Sequence, residues 1–162
     1  MKNKFSLVLG LFFAVTFSLS SCKKGPEGPA GKDGNSNVVS SSITSGNWTY
    51  DEPSWVQTFT YPAITSDILN SGAVLVYVQS ASNYYQLPYT YYPSSVFSKT
   101  ITYVHYLGGL KVFVTDSDLT QPDNPGSLTF KVVVIASSDL IRNPNVDLTD
   151  YKAVKSAFNI AD

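Results

Sequence analysis

One histidine, one cysteine, a loop of carboxylates and a cluster of tyrosines are the residues of this 162-residue chain that could carry chemistry. His105 lies in ITYVHYLGG and has no second histidine to work with. As a general base it would need a nucleophile in reach and a carboxylate to orient it. No nucleophile signature such as G-x-S-x-G occurs in the chain. A regular strand turns His105 the same way as Ile101, Tyr103 and Leu107, so it reads as a half-buried structural residue. With one histidine and one cysteine, zinc lacks a ligand set.

Asp116-Ser117-Asp118 followed by Asp123-Asn124 gathers carboxylates and amides in one loop, the ligand chemistry of calcium. The spacing departs from the EF-hand, without its central glycine and terminal glutamate. Turn-forming residues in a solvated hairpin loop account for it equally well. SNYYQLPYTYYPSS, residues 82–95, holds Tyr84, Tyr85, Tyr89, Tyr91 and Tyr92. Exposed tyrosine faces stack on sugar rings or anchor a protein partner, because each offers apolar area and a hydroxyl. Pro88 and Pro93 suit an edge strand or loop that a ligand can approach. Strand alternation would instead bury about half of these rings as core rim.

Composition narrows the classes. The chain has 11 Lys and Arg against 12 Asp and Glu. From Asn37 onward there are six basic and ten acidic residues, with no clustered positive surface for nucleic acid. The about 125 residues of that stretch are enough for one domain with its own core. Nothing in it pairs with Cys22, so packing alone must hold the domain.

Residues 1–21 read as a signal peptide. Lys2 and Lys4 form a positive start, LVLGLFFAV (7–15) an apolar centre, and residues 18–21 are mostly small. The apolar run is too short for a span of about 20 residues. Leu19-Ser20-Ser21-Cys22 resembles the lipobox of bacterial lipoproteins. That resemblance implies cleavage before Cys22, a lipid on its sulfur and acylation of the new amino terminus. Anchoring by more than one chain is what stable membrane residence requires. Lys23, rather than Asp, after the cysteine resembles lipoproteins routed to the outer membrane, with the periplasmic or surface face left open.

From Gly25 to Ser36, glycine occupies every third position, the collagen rule. Four triplets with two prolines are short for an independent triple helix, so the run reads as a spacer. At ~3.1 Å per residue it reaches at most ~37 Å. Trimerisation through it is the alternative, and the oligomeric state stays open.

The elements that must position these groups are mostly strands. Period-two patterning cut by turn residues predicts strands at 38–43, 47–50, 54–61, 73–79, 84–89, 99–107, 110–115 and 127–136. AVLVYVQ (73–79) is apolar on both faces, as a strand packed on each side must be. Gly108-Gly109 marks a hairpin. Residues 64–69 suit one helical turn. In VDLTDYKAVKSAF, Asp147 makes an N-cap, and Leu148, Tyr151, Val154 and Phe158 form a stripe on one helix, roughly 148–158. The fold class is therefore mainly β: an antiparallel sandwich, immunoglobulin-like or similar, over residues 37–162, with one C-terminal helix.

With these residues in view, the chain resembles a family of small bacterial lipoproteins, collagen-like or without assigned activity. The matching pieces are the triplets after the lipobox, ITSDILNSGAVLVYVQ (64–79), QLPYTYYP (86–93), SLTFKVVVIA (127–136) and NVDLTDYKAVKSAFNI (145–160). The resemblance implies architecture and location, and it carries over no catalytic residue. The resulting expectation is a non-enzymatic envelope lipoprotein without cofactor or metal, held to a membrane through Cys22. Its ligand would be a glycan or a protein met by Tyr84, Tyr85, Tyr89, Tyr91 and Tyr92. A structural or adhesive subunit assembled through the triplets is the second expectation.

Overall fold

A computed structural model describes residues 37–161. Residues 1–21, read above as a signal peptide, Cys22 and the triplets through residue 36 lie outside the described residues. The chain folds as two antiparallel sheets packed face to face, the predicted sandwich. The first sheet contains β1 (Val38–Thr44), β9 (Thr129–Ile135), β4 (Ala73–Ser80) and β5 (Asn83–Gln86), in that spatial order. The second contains β2 (Thr49–Asp51), β3 (Ser54–Thr60), β8 (Gly109–Asp116), β7 (Lys99–Tyr106) and β6 (Tyr89–Tyr91).

β4 and β9 are neighbours at the centre of the first sheet and bury apolar side chains on both faces, with Lys131 the charged exception on the outer face. Alternation sends Val74, Val76 and Val78 of β4, with Phe130, Val132 and Val134 of β9, toward the second sheet. There they meet Ile101 of β7 and Leu110, Val112 and Val114 of β8. Leu75, Tyr77, Val133 and Ile135 face the other way and form a second core under Tyr151, Val154, Phe158 and Ile160. Burying one such side chain contributes about 1.5–3 kcal/mol, so the C-terminal segment is a structural layer of the domain.

Three short helices are present among the described residues: α1 (Ser66–Ser71), α2 (Ser137–Arg142) and α3 (Tyr151–Ala157). The apolar stripe at 148–158 is as the spacing predicts, but the helix is shorter. Asp147 does not cap it. Its Oδ1 accepts from the Thr149 amide at 2.9 Å and the Thr149 hydroxyl at 2.6 Å, an Asx turn that holds residues 147–149 outside the helix. Asp150 caps instead, accepting from the Lys152 amide at 2.8 Å. Leu148, left outside α3, packs in the second core and its carbonyl accepts a 2.7 Å bond from the Tyr77 hydroxyl. α2 has no counterpart in the sequence reading, because six residues are too few to show a helical period.

The predicted strand 84–89 is two strands in different sheets. β5 ends at Gln86, and the chain then crosses to β6 through Leu87-Pro88. Leu87 is buried in the core, and its amide bonds the Val76 carbonyl at 2.8 Å. The β7–β8 hairpin turns one residue earlier than predicted, at Leu107-Gly108, with Tyr106 opposite Gly109. Gly108 has φ +78°, a conformation glycine adopts without steric cost, and a Cβ on Gly109 would lie 2.7 Å from the Tyr106 ring.

Burial raises the phenol pKa of Tyr77 strongly, and raises those of Tyr103 and Tyr61 as well. Unfolded phenols titrate near their ordinary value of about 10. Above that pH the unfolded chain releases protons that the folded chain keeps, so stability is lost as pH climbs from about 10 toward the raised folded values. In a base titration followed by phenolate absorbance and circular dichroism, Tyr77 is expected to ionise only as the domain unfolds. Reversible ionisation of every tyrosine near pH 10 with the fold intact would contradict this packing.

Candidate functional site

The five tyrosines divide between two places, because neighbouring residues of a strand point to opposite faces. Tyr84 lies opposite Gln79 on the outer face of the first sheet, its ring 4.5 Å from that of Tyr151 in α3. It belongs to the layer under the C-terminal segment. Tyr85, opposite Val78, points the other way, toward the gap between the sheets. Its ring stacks on Tyr89 with centroids 4.8 Å apart and planes 24° from parallel. Tyr89 stacks on Tyr91 at 5.9 Å and 20°.

A column of three phenols therefore bridges β5 of one sheet and β6 of the other along one edge of the sandwich. Tyr89 packs on the main core, while Tyr85 and Tyr91 keep 39% and 37% of their surface exposed. Tyr92, next along the chain, is 77% exposed. Pro88 and Pro93 bracket β6 and bring no backbone donor, which leaves this edge unlike a regular pairing strand. Within the stack Tyr89 has a ring on each side, while Tyr85 and Tyr91 each have one stacked neighbour and Tyr92 stands exposed beside them.

At the Tyr91 end stands an ion pair that sequence reasoning missed. Lys99, opposite Tyr91 in register, places Nζ 2.7 Å from Asp116 Oδ1. The Asp116 and Lys99 side chains are both largely buried. Burial raises the Tyr91 phenol pKa, and the Lys99 charge works against that rise. The Lys99 ammonium also lies 6.0 Å from the centre of the Phe97 ring. A signal was available: Lys99 and Asp116 are the first and last residues of a hairpin whose register follows from its turn.

Asp116 is thereby taken out of the calcium constellation. Asp118 Oδ1 accepts from the Thr120 amide and hydroxyl at 3.1 and 3.0 Å, and Asn124 Oδ1 accepts from the Gly126 amide at 2.9 Å. These are local turn bonds, the second of the two readings of this loop. The loop is also pinned rather than simply solvated. The Trp48 indole donates to the Gly126 carbonyl at 2.6 Å, and the Trp55 indole donates to the Pro122 carbonyl at 2.8 Å. Among the described residues, no three His, Cys, Asp or Glu side chains gather as a metal site would require.

His105 is a correction to the sequence reading. It shares a strand face with Ile101 and Tyr103, but lies near the end of β7 where the core has run out, and it is exposed rather than half-buried. Its ring rests on Tyr103 at 6.1 Å. Tyr103, one alternation inward, is half-buried, and its hydroxyl donates to the Val74 carbonyl of the facing sheet at 2.7 Å. Cys22 lies outside the described residues.

Removing Lys99 leaves the Asp116 carboxylate buried without its counter-charge. Lys99→Ala is expected to lower unfolding stability by ~3 kcal/mol in denaturant titration, the usual cost of stranding one partner of a buried pair. A change below about 0.5 kcal/mol would show that water already screens the pair. Compared with known proteins, the chain matches no protein-family model, no curated protein and no solved structure.

Proposed function

We propose that this chain is a lipid-anchored protein of the bacterial envelope that binds glycan through the β5–β6 edge and performs no chemistry on it. The anchor is Cys22, on the strength of Leu19-Ser20-Ser21-Cys22, the positive start at Lys2 and Lys4 and the apolar run 7–15. Residues 25–36 act as the spacer between lipid and domain. Lys23 after the cysteine favours the outer membrane as the destination.

The observation that carries the binding role is the stacked column Tyr85–Tyr89–Tyr91 with Tyr92 exposed beside it. A sugar ring presents a C–H face to an aromatic face and hydroxyls to the polar groups around it, and this edge offers both kinds of contact. The rings are also held before a ligand arrives. Tyr89 is packed on the core and the stack fixes its neighbours, so little side-chain freedom remains to be lost on binding. A binding role also suits the scatter of titratable groups, since His105 stands on an exposed strand end and the loop carboxylates are engaged in turns.

The test is retention of the full chain, carried in lipid vesicles, on an array of envelope polysaccharides. Tyr91→Ala combined with Tyr92→Ala is expected to lower retention by about tenfold or more, since each lost aromatic contact is worth ~1 kcal/mol. Tyr106→Ala removes an exposed tyrosine on a different face and is expected to change nothing. Equal retention by the double variant and the parent chain would end the proposal.

A further inference from the structure

On the outer face of the first sheet, across the edge strand β5 from the column, lies a cleft of about 400 Å³, large enough for a small ligand. The tip of the β4–β5 hairpin forms one wall with Ser82 and Asn83, and the start of α3 forms the other with Asp150 and Lys152. Tyr84, Tyr85 and the buried Tyr151 line the space between them. The Tyr84 and Tyr151 rings are 4.5 Å apart, and Tyr151 in turn meets Tyr77 at 5.2 Å, edge to face. The aromatic floor is therefore fixed from beneath by the second core.

The rim is polar and unspent. One oxygen of Asp150 caps α3 through the Lys152 amide. No protein group among the described residues bonds its second oxygen, the Asn83 side-chain amide, the Ser82 hydroxyl or the Lys152 ammonium. A carboxylate accepts, an ammonium donates, and an amide and a hydroxyl do both. An apolar ligand would strip water from these groups without replacing its hydrogen bonds. An anion would meet the Asp150 charge and a cation would meet Lys152. What satisfies an aromatic floor under a mixed, charge-balanced rim is a neutral molecule with one apolar face and several hydroxyls.

We infer that this cleft holds a single neutral pyranose residue, a hexose or N-acetylhexosamine, of the glycan that lies along the tyrosine column. The inference rests on the glycan-binding reading above and adds to it the site that selects the sugar. Tyr85 stands between the two, since its ring ends the column on the inner face of the edge strand β5 and the residue borders the cleft on the other side. The polymer thus gains area from Tyr91 and Tyr92, and identity from Asn83, Asp150 and Lys152.

The test is saturation-transfer NMR on the full chain in lipid nanodiscs, using methyl glycosides of neutral hexoses and N-acetylhexosamines and the matching uronates as probes. At least one neutral glycoside is expected to receive saturation, with affinity falling about fivefold or more in Asn83→Ala. Uronates are expected to gain transfer in Asp150→Asn, which keeps a capping side chain and removes the charge. Tyr106→Ala, on the outward face of β7, is expected to leave the monosaccharide signal unchanged. Saturation transfer that is absent, equal in Asn83→Ala, or as strong for uronates as for neutral sugars would overturn the cleft assignment. If polysaccharide retention nevertheless still depends on Tyr91 and Tyr92, the column reading stands without the cleft.

Discussion

The structure depends on one constraint: the β4–β9 strand pair carries large apolar side chains on both faces, Lys131 excepted, and must be covered twice. Without a disulfide in residues 37–161, hydrophobic burial supplies the main driving force for this domain. On one side the cover is the second sheet, through Leu110, Val112 and Val114. On the other it is the C-terminal segment, through Tyr151, Val154, Phe158 and Ile160. The tail of the chain is thus tied to its centre, and the Tyr77 hydroxyl fixes the tie by bonding the Leu148 carbonyl at 2.7 Å.

The candidate site follows from that double cover. β5 extends the first sheet beside β4, so alternation gives one tyrosine to each layer: Tyr84 to the C-terminal layer and Tyr85 to the gap between sheets. The crossing at Leu87-Pro88 then delivers Tyr89 and Tyr91 to the second sheet with rings in line with Tyr85. Stacked phenols close this edge of the sandwich where no further strand pairs. Tyr89 serves stability by packing on the core, and Tyr85 and Tyr91 keep part of their surface exposed. A binding surface built in this way is rigid because it is part of the core's boundary, and it needs no loop to order around a ligand.

Most of the fold was legible because most strands carry a plain two-residue period. Ala73–Ser80 announced its central place by having no polar face, and Lys99–Tyr106 with Gly109–Asp116 announced a hairpin through paired glycines. The split of residues 84–89 was not legible. Tyr84, Tyr85 and Tyr89 read as one strand, and the change of sheet at Leu87-Pro88 depends on Leu87 finding a place in the core, a tertiary fact. At the C-terminus, Asp147 and Asp150 are equally good caps by residue type, and the Thr149 hydroxyl decided between them by engaging Asp147. Of the site, the tyrosine cluster was visible and the cleft was not. Asn83 and Asp150 are 67 positions apart and are joined only by the second core. His105 misled because strand parity gives its facing but not where along the strand the core ends.

The central claim is that the two-sided core hides one set of tyrosines and leaves the β5–β6 edge as a recognition surface. Nitration of the full chain in lipid vesicles, mapped by mass spectrometry with and without envelope polysaccharide, addresses both halves at once. Tyr92 is expected to be modified rapidly and Tyr85 and Tyr91 more slowly, all three are expected to be protected by bound polysaccharide, and Tyr77 is expected to stay unmodified. Rapid nitration of Tyr77, or a Tyr92 that no envelope polysaccharide shields, would contradict the claim.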